Sequence, residues 1–246
     1  MKNTANADPS AFPAGGFISR LLFSRRRQML DAFTVFRQGG DKDTILSINM
    51  MMPTPSFENA DYLMEWGSLQ DKLRITFHEI TRPADSHLRA KHRQMQSDGP
   101  HLPFPDEAFD WVFCGEVIER IGSFERQYAL LKELARVARK GVFVTAANRK
   151  HPLEFNTGIP FIHWLPDKWW RRILKWSGKN AWASESALNL LDARTLYTLA
   201  GLLPGKPKHD VGHKRVFGLK AHLFLMMEKN LIEQGPEEKS DNKTTF

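Results

Sequence analysis

One cysteine, Cys114, occurs in the 246 residues; this excludes an internal disulfide framework and fits a reducing compartment. No stretch approaches the roughly 18 consecutive apolar residues that a membrane-spanning helix needs. The opening residues, MKNTANADPSAFPAGG, lack the apolar core of a secretory leader, so the expected location is the cytoplasm. Zinc-ligand spacing and the HExxH signature are missing. His209 and His213 stand four apart in a strand-like run, where they share a face without converging, so no metal is expected. Absent too are the GxSxG elbow of serine hydrolases and the GxxxxGK[ST] phosphate loop, which sets both classes aside. Glycine is absent from TILSINMMMPTPSFENADYL, residues 44–63, where an apolar strand turns through two prolines into a polar, helix-starting stretch. A backbone without glycine there approaches a ligand less closely.

What is present is an ordinary globular composition, 41% hydrophobic and 26% charged, in a chain long enough to bury a sizeable core. The formal charge of +7 gathers in Arg25 to Arg27, between Lys168 and Lys179, and between Lys206 and Lys220, without a basic tail. Solvated faces account for most of it, and nucleic acid is not the expected partner. Residues 1–13 and 231–246 are polar, proline-bearing or charged, and are expected to be disordered ends around a single domain over 14–230.

Hydrophobic period divides that domain. Phe17, Ile18, Leu21, Leu22, Met29, Leu30 and Phe33 recur at helical spacing over Phe17 to Phe36, one or two amphipathic helices ended by Gly39-Gly40. The runs ILSIN, LRITFHEI (Leu73 to Ile80), HRQMQS (His92 to Ser97), FDWVFC (Phe109 to Cys114) and GVFVTAA (Gly141 to Ala147) read as strands. A short helix is expected over Phe57 to Trp66. A long one, with Tyr128, Leu131, Leu134, Ala135 and Ala138 on one face, follows Ser123 as its cap. Another is expected over Leu191 to Leu202, capped by Asp192, and HDVGHKRVFG and KAHLFLMMEK then form a hairpin. Alternating strands and helices give an α/β fold with a parallel sheet, the hairpin supplying a mixed edge.

Leu102 to Arg149, LPFPDEAFDWVFCGEVIERIGSFERQYALLKELARVARKGVFVTAANR, resembles the class I S-adenosylmethionine-dependent methyltransferases. Within that class it is similar to the bacterial type 11-like group, with its LPF-D--FD-V---EVIEH pattern and KEL-RV helix. HPLEFNTGIPFIHWLP, SALNLLDARTL and RVFGLKAHLF extend the resemblance over residues 20 to 230. It implies a Rossmann-like, mostly parallel seven-stranded sheet with an antiparallel C-terminal strand, and S-adenosyl-L-methionine as cofactor at the carboxyl ends of the strands.

The same resemblance assigns residues. Ser47 stands where the family carries an acid and Asn49 where it carries the glycine; Asn tolerates positive φ, so the turn can survive there. Thr81 falls at the place of the ribose acid, flanked by Glu79 and Asp85. Asp98-Gly99 falls at the adenine contact, and Gly115-Glu116 beside the methionine half. Arg120 replaces the family's histidine, and EFNT replaces EFHT, so Asn156 cannot abstract a proton. On the acceptor side, the loop NRKHPLEFNTGIPFIHWLP offers His163 as general base and Glu154 as its orienter. The expected acceptor is small or lipid-linked, a glycan included. Residues 168–179, rich in Trp, Arg and Lys, point to peripheral contact with the inner membrane. The alternative reading is a catalytically impaired relative that serves as a binding or assembly partner, since Ser47, Asn49, Thr81, Arg120 and Asn156 all depart from the pattern.

Overall fold

The computed structural model describes residues 17–38, 42–50, 63, 74–80, 96–97 and 100–229. Seven strands form one sheet: β1 (Ile45–Met50), β2 (Ile75–Ile80), β3 (Gln96–Ser97), β4 (Phe109–Gly115), β5 (Ala138–Ala147), β6 (Lys208–Val216) and β7 (Leu219–Glu228). Their spatial order is β3-β2-β1-β4-β5-β7-β6, and β7 alone runs opposite to the other six. This is the mixed sheet expected from the sequence. Four helices accompany it: α1 (Phe17–Phe36), α2 (Phe124–Val137), α3 (Asp167–Trp176) and α4 (Ala193–Gly201).

Strand alternation sorts the core into two layers. Leu46, Ile48, Val112 and Val144 face α2 and α4, meeting Leu130, Leu134 and Leu199. Ile45, Phe113 and Phe143 face the other way and are covered by Met29, Leu30 and Phe33 of α1. There Phe113, Phe143 and Phe224 stack in a row across three strands, at 5.7 and 5.3 Å between centroids. Phe33 meets Phe113 edge-on at 5.1 Å, a favoured aromatic geometry.

At the amino edge of the sheet a polar clamp fixes the strand entries. The Asp110 carboxylate accepts from the backbone N–H and hydroxyl of Thr44 at 2.9 and 3.1 Å. Trp111 Nε1 donates to Asp43 at 2.8 Å, and Lys140 bridges Asp43 and Asp110. Burial alone would raise the Asp110 carboxyl; the Thr44 hydrogen bonds, then Lys140 and Arg139, outweigh it and hold it below its ordinary value.

Several boundaries differ from the sequence reading. Strand β5 begins at Ala138, three residues before the expected Gly141, because the chain extends directly from the last turn of α2. Ser123 occupies the N-cap of α2 without a side-chain cap bond, whereas Asp192 caps α4 by accepting from Thr195 N at 2.9 Å. The β6–β7 hairpin closes through Phe217 and Gly218, both at positive φ, as a tight two-residue turn demands. The expected helix at 57–66 lies outside the described residues except for Leu63, which is buried and helical.

Gly141 leaves no room for a side chain: a Cβ there would stand 2.6 Å from both the Met227 carbonyl oxygen and the Trp111 ring. Gly141→Ala is expected to cost about 2–3 kcal/mol by overpacking. A shift in the denaturant midpoint without a change in slope would register it.

Candidate active site

The carboxyl edge of the sheet is built from where the strands stop. Met50, Ile80 and Ser97 lie in one register row across β1, β2 and β3, and Gly115 pairs with Thr145 across β4 and β5. Because β7 is antiparallel, its first half reaches the same edge, with His222 opposite Ala147.

Strand β4 is buried on both faces until Gly115, and then Glu116 reverses the chain at φ +54°. A left-handed non-glycine residue is uncommon and points to a local constraint. The Glu116 N–H donates to Thr145 Oγ1 at 3.0 Å. Its carboxylate meets Arg26 of α1 at 3.2 Å, His222 Nε2 at 3.7 Å and Arg120 at 3.8 Å. Burial would raise this carboxyl, but the guanidinium of Arg26, then Arg120 and His222, hold it at about 2.

One 3₁₀ turn further, Glu119 experiences the opposite balance. It is buried, and burial, assisted by the charge of Glu116 and only partly opposed by Arg120, lifts its carboxyl to about 7. Glu119 Oε1 accepts a long hydrogen bond from Ala147 N at 3.4 Å, and Oε2 has no hydrogen-bond partner among the described residues. Two adjacent carboxylates therefore carry different protonation states near neutral pH.

The loop after β5 completes the site. Arg120 donates through Nη2 and Nε to Asn156 Oδ1 at 2.6 and 3.2 Å. Asn156 Nδ2 and its backbone N–H both donate to Glu154 Oε1 at 2.8 Å, and Thr157 N–H donates to Oε2 at 2.6 Å. Glu154 thus fixes the loop turn and, through Asn156, the guanidinium of Arg120. Phe155 lies between the rings of His151 and His222, at 4.9 Å from each. Arg26, Glu116, Glu119 and Arg120 line a small pocket closed by Phe155, Asn156 and His222, and the space left is of the order of one water molecule.

Of the residues singled out from sequence, Glu116, Arg120 and Asn156 line this pocket, and Gly115 precedes Glu116 at the end of β4. Glu154 reaches it through Asn156. His163 is buried 12 residues beyond His151, with Nε2 against the His151 carbonyl oxygen at 2.9 Å, and it does not line the pocket. Burial lowers its pKa, with Glu154 opposing. Ser47 is fully buried in mid-strand, opposite Phe77 and Phe113. Asn49 is extended and half-buried within β1, opposite Glu79, and the strand continues to Met50. The positive-φ turn expected at Asn49 is therefore not there: sheet pairing with β2 holds the backbone extended. Thr81, Asp98 and Gly99 lie outside the described residues. Among the described residues no group of three His, Cys, Asp or Glu is arranged to hold a metal ion.

Three pocket residues were not read from sequence. Arg26 carried a signal, since it stands three, four and seven residues before Met29, Leu30 and Phe33 and so shares their buried stripe. Glu119 was visible only as part of EVIER. His222 reaches the pocket through the pairing of β7 with β5, which no local pattern encodes.

A seven-stranded sheet with an antiparallel β7 inserted beside β5, and a polar pocket at its carboxyl edge, defines the class I S-adenosylmethionine-dependent methyltransferase fold. Residues 60–145 match the family model for the methyltransferase domain. The match begins beyond β1 and so leaves out Ser47 and Asn49. Among solved structures, magnesium protoporphyrin IX methyltransferase from Synechocystis with bound SAH is similar at 10% identity and a TM-score of 0.49, over 89% of this chain and 90% of that one. A SAM dependent methyltransferase from Aquifex aeolicus is similar at 16% identity and 0.42, over 90% and 98%. A possible histamine N-methyltransferase from Thermotoga maritima is similar at 14% and 0.43, over 86% and 98%. No curated protein sequence matches the chain.

Proposed function

We propose that this chain transfers a methyl group from S-adenosylmethionine to a hydroxyl or amine of a small or lipid-linked acceptor, glycans included, with Glu119 taking the acceptor's proton. The observation that carries the reading is the placement of two unlike carboxyl groups at one strand edge: Glu116 paired with Arg26 at 3.2 Å, and Glu119 buried with an Oε2 that has no hydrogen-bond partner among the described residues, where burial pushes its carboxyl up to about 7. A base with its pKa near the working pH combines a useful unprotonated fraction with a useful proton affinity.

The donor set suits the cationic end of the cofactor. The ionised Glu116 carboxylate matches a sulfonium or an α-ammonium, and Arg26 matches the methionine carboxylate. When bound, the cofactor supplies the methyl group. Gly115 ends β4 next to Glu116, while Ser47 and Asn49 stay within β1 and take no cofactor contact in this reading. Thr81 and Asp98-Gly99, which directly follow β2 and β3 in the sequence, take the ribose and adenine side in this reading. Glu154 acts as a positioning residue through Asn156 and Arg120, and His163 secures the acceptor loop from within.

A second reading, a non-catalytic relative serving as a binding or assembly partner, is favoured by a specific feature: the Arg26–Glu116 pair spans the pocket and leaves little space. Calorimetric titration with S-adenosylmethionine and its demethylated product separates the two. Saturable heat and a raised thermal midpoint are expected. Neither heat nor shift at millimolar ligand would favour the partner reading.

A further inference from the structure

We infer that the outer face of α3, with the aromatic tip of the loop before it, docks on an anionic membrane surface. The inference deepens the lipid-linked side of the proposed function, but it stands on the surface itself. Helix α3 buries Trp170 and Leu174 and leaves Trp169 and Trp176 60% and 81% exposed. These two tryptophans are seven residues apart and share one stripe. Lys168, Arg172 and Lys175 are exposed beside them, and the Arg172 guanidinium lies 5.7 Å from the Trp169 ring. The helix's one acid, Asp167, is already engaged by Arg149 and Arg171, each at 3.7 Å.

In front of the helix, Phe161 and Trp164 are more than half exposed and meet edge-on at 5.3 Å. Trp164 Nε1 donates to the Arg149 carbonyl oxygen at 3.2 Å, which fixes the ring outward. Exposed aromatics flanked by basic side chains match the two layers of a headgroup region, the rings at the acyl boundary and the cations among the phosphates. Among the described residues no helix is long and apolar enough to cross a membrane, so the contact is peripheral.

Position ties this face to the pocket. The inner residues Trp170 and Leu174 pack in one cluster with Ala147, and Ala147 both lines the pocket and donates its N–H to Glu119. With the outer face on a bilayer, the pocket lies about one helix diameter, ~10 Å, from the headgroups. A lipid-linked acceptor is then gathered on the side of the protein that carries the pocket.

Cosedimentation of the full chain with vesicles of phosphatidylcholine alone, and of phosphatidylcholine with phosphatidylglycerol, tests this. Pelleting is expected only with the anionic vesicles and should fall as salt rises. The K168Q/R172Q/K175Q variant should lose roughly fivefold in vesicle affinity per charge removed, on the order of a hundredfold in all. W169S/W176S should lose at least about tenfold at unchanged charge. Both variants alter exposed positions and should keep the wild-type thermal midpoint and the wild-type heat of S-adenosylmethionine binding, so failure of docking and failure of the methyl-transfer reading are distinguishable. Absence of pelleting, or pelleting equal in wild type and both variants, would overturn the inference. So would lipid-free self-association lost in W169S/W176S, which would assign the face to a second copy of the chain.

Discussion

Glu119→Gln is expected to lower methyl-transfer turnover by about a hundredfold or more, the scale of a lost general base. Turnover is read as formation of the demethylated cofactor with a lipid extract as acceptor source. The rising limb of the pH profile near 7, set by the Glu119 carboxyl, should vanish with it. Persistence of that limb in the variant would overturn the base role of Glu119. Stability carries a second signature. Because the folded-state pKa is raised above the ordinary glutamate value, the folded protein holds this proton more tightly than the unfolded chain, and stability falls as pH rises from about 4.5 to about 7. Glutamine cannot ionise, so the variant should match wild type at the acid end of that window and exceed it at pH ~8.

Glu116→Gln is expected to destabilise the protein by about 3 kcal/mol, since it removes the buried negative charge that Arg26 and Arg120 share. The sign with pH is opposite to that of Glu119. The folded pKa of Glu116 is depressed, so its contribution is full above about 4.5 and disappears as pH falls toward about 2. The wild-type advantage over this variant should shrink through that acid range in denaturant melts. A variant as stable as wild type at pH ~7 would mean that the pair is no more than a solvated ion contact.

The two carboxylates show what a sequence can and cannot carry. ILSIN and FDWVFC read as buried strands because alternation and β-branched or aromatic residues are local properties, and Asp192 and the β6–β7 hairpin were legible for the same reason. Gly115-Glu116 could be placed at the site by motif. The opposite ionisation of Glu116 and Glu119 could not, because it depends on Arg26, delivered from a helix 90 residues earlier, and on His222, delivered by a strand more than 100 residues later. Arg26 was within reach of helical phase, since it falls on the stripe of Met29 and Phe33, but a tract of three arginines first reads as a solvated patch. Asn49 illustrates the converse. Its tolerance of positive φ was a sound local argument, yet pairing of β1 with β2 through Met50 and Ile80 decided the backbone.

Carboxyl carbon-13 NMR of the glutamates across pH ~3–9, with Glu119→Gln supplying the assignment, tests the split pair at its source. One resonance missing from the variant should titrate near 7, as burial beside Glu116 requires. If that resonance moves near the ordinary glutamate value instead, the pocket holds two ordinary carboxylates and no poised base.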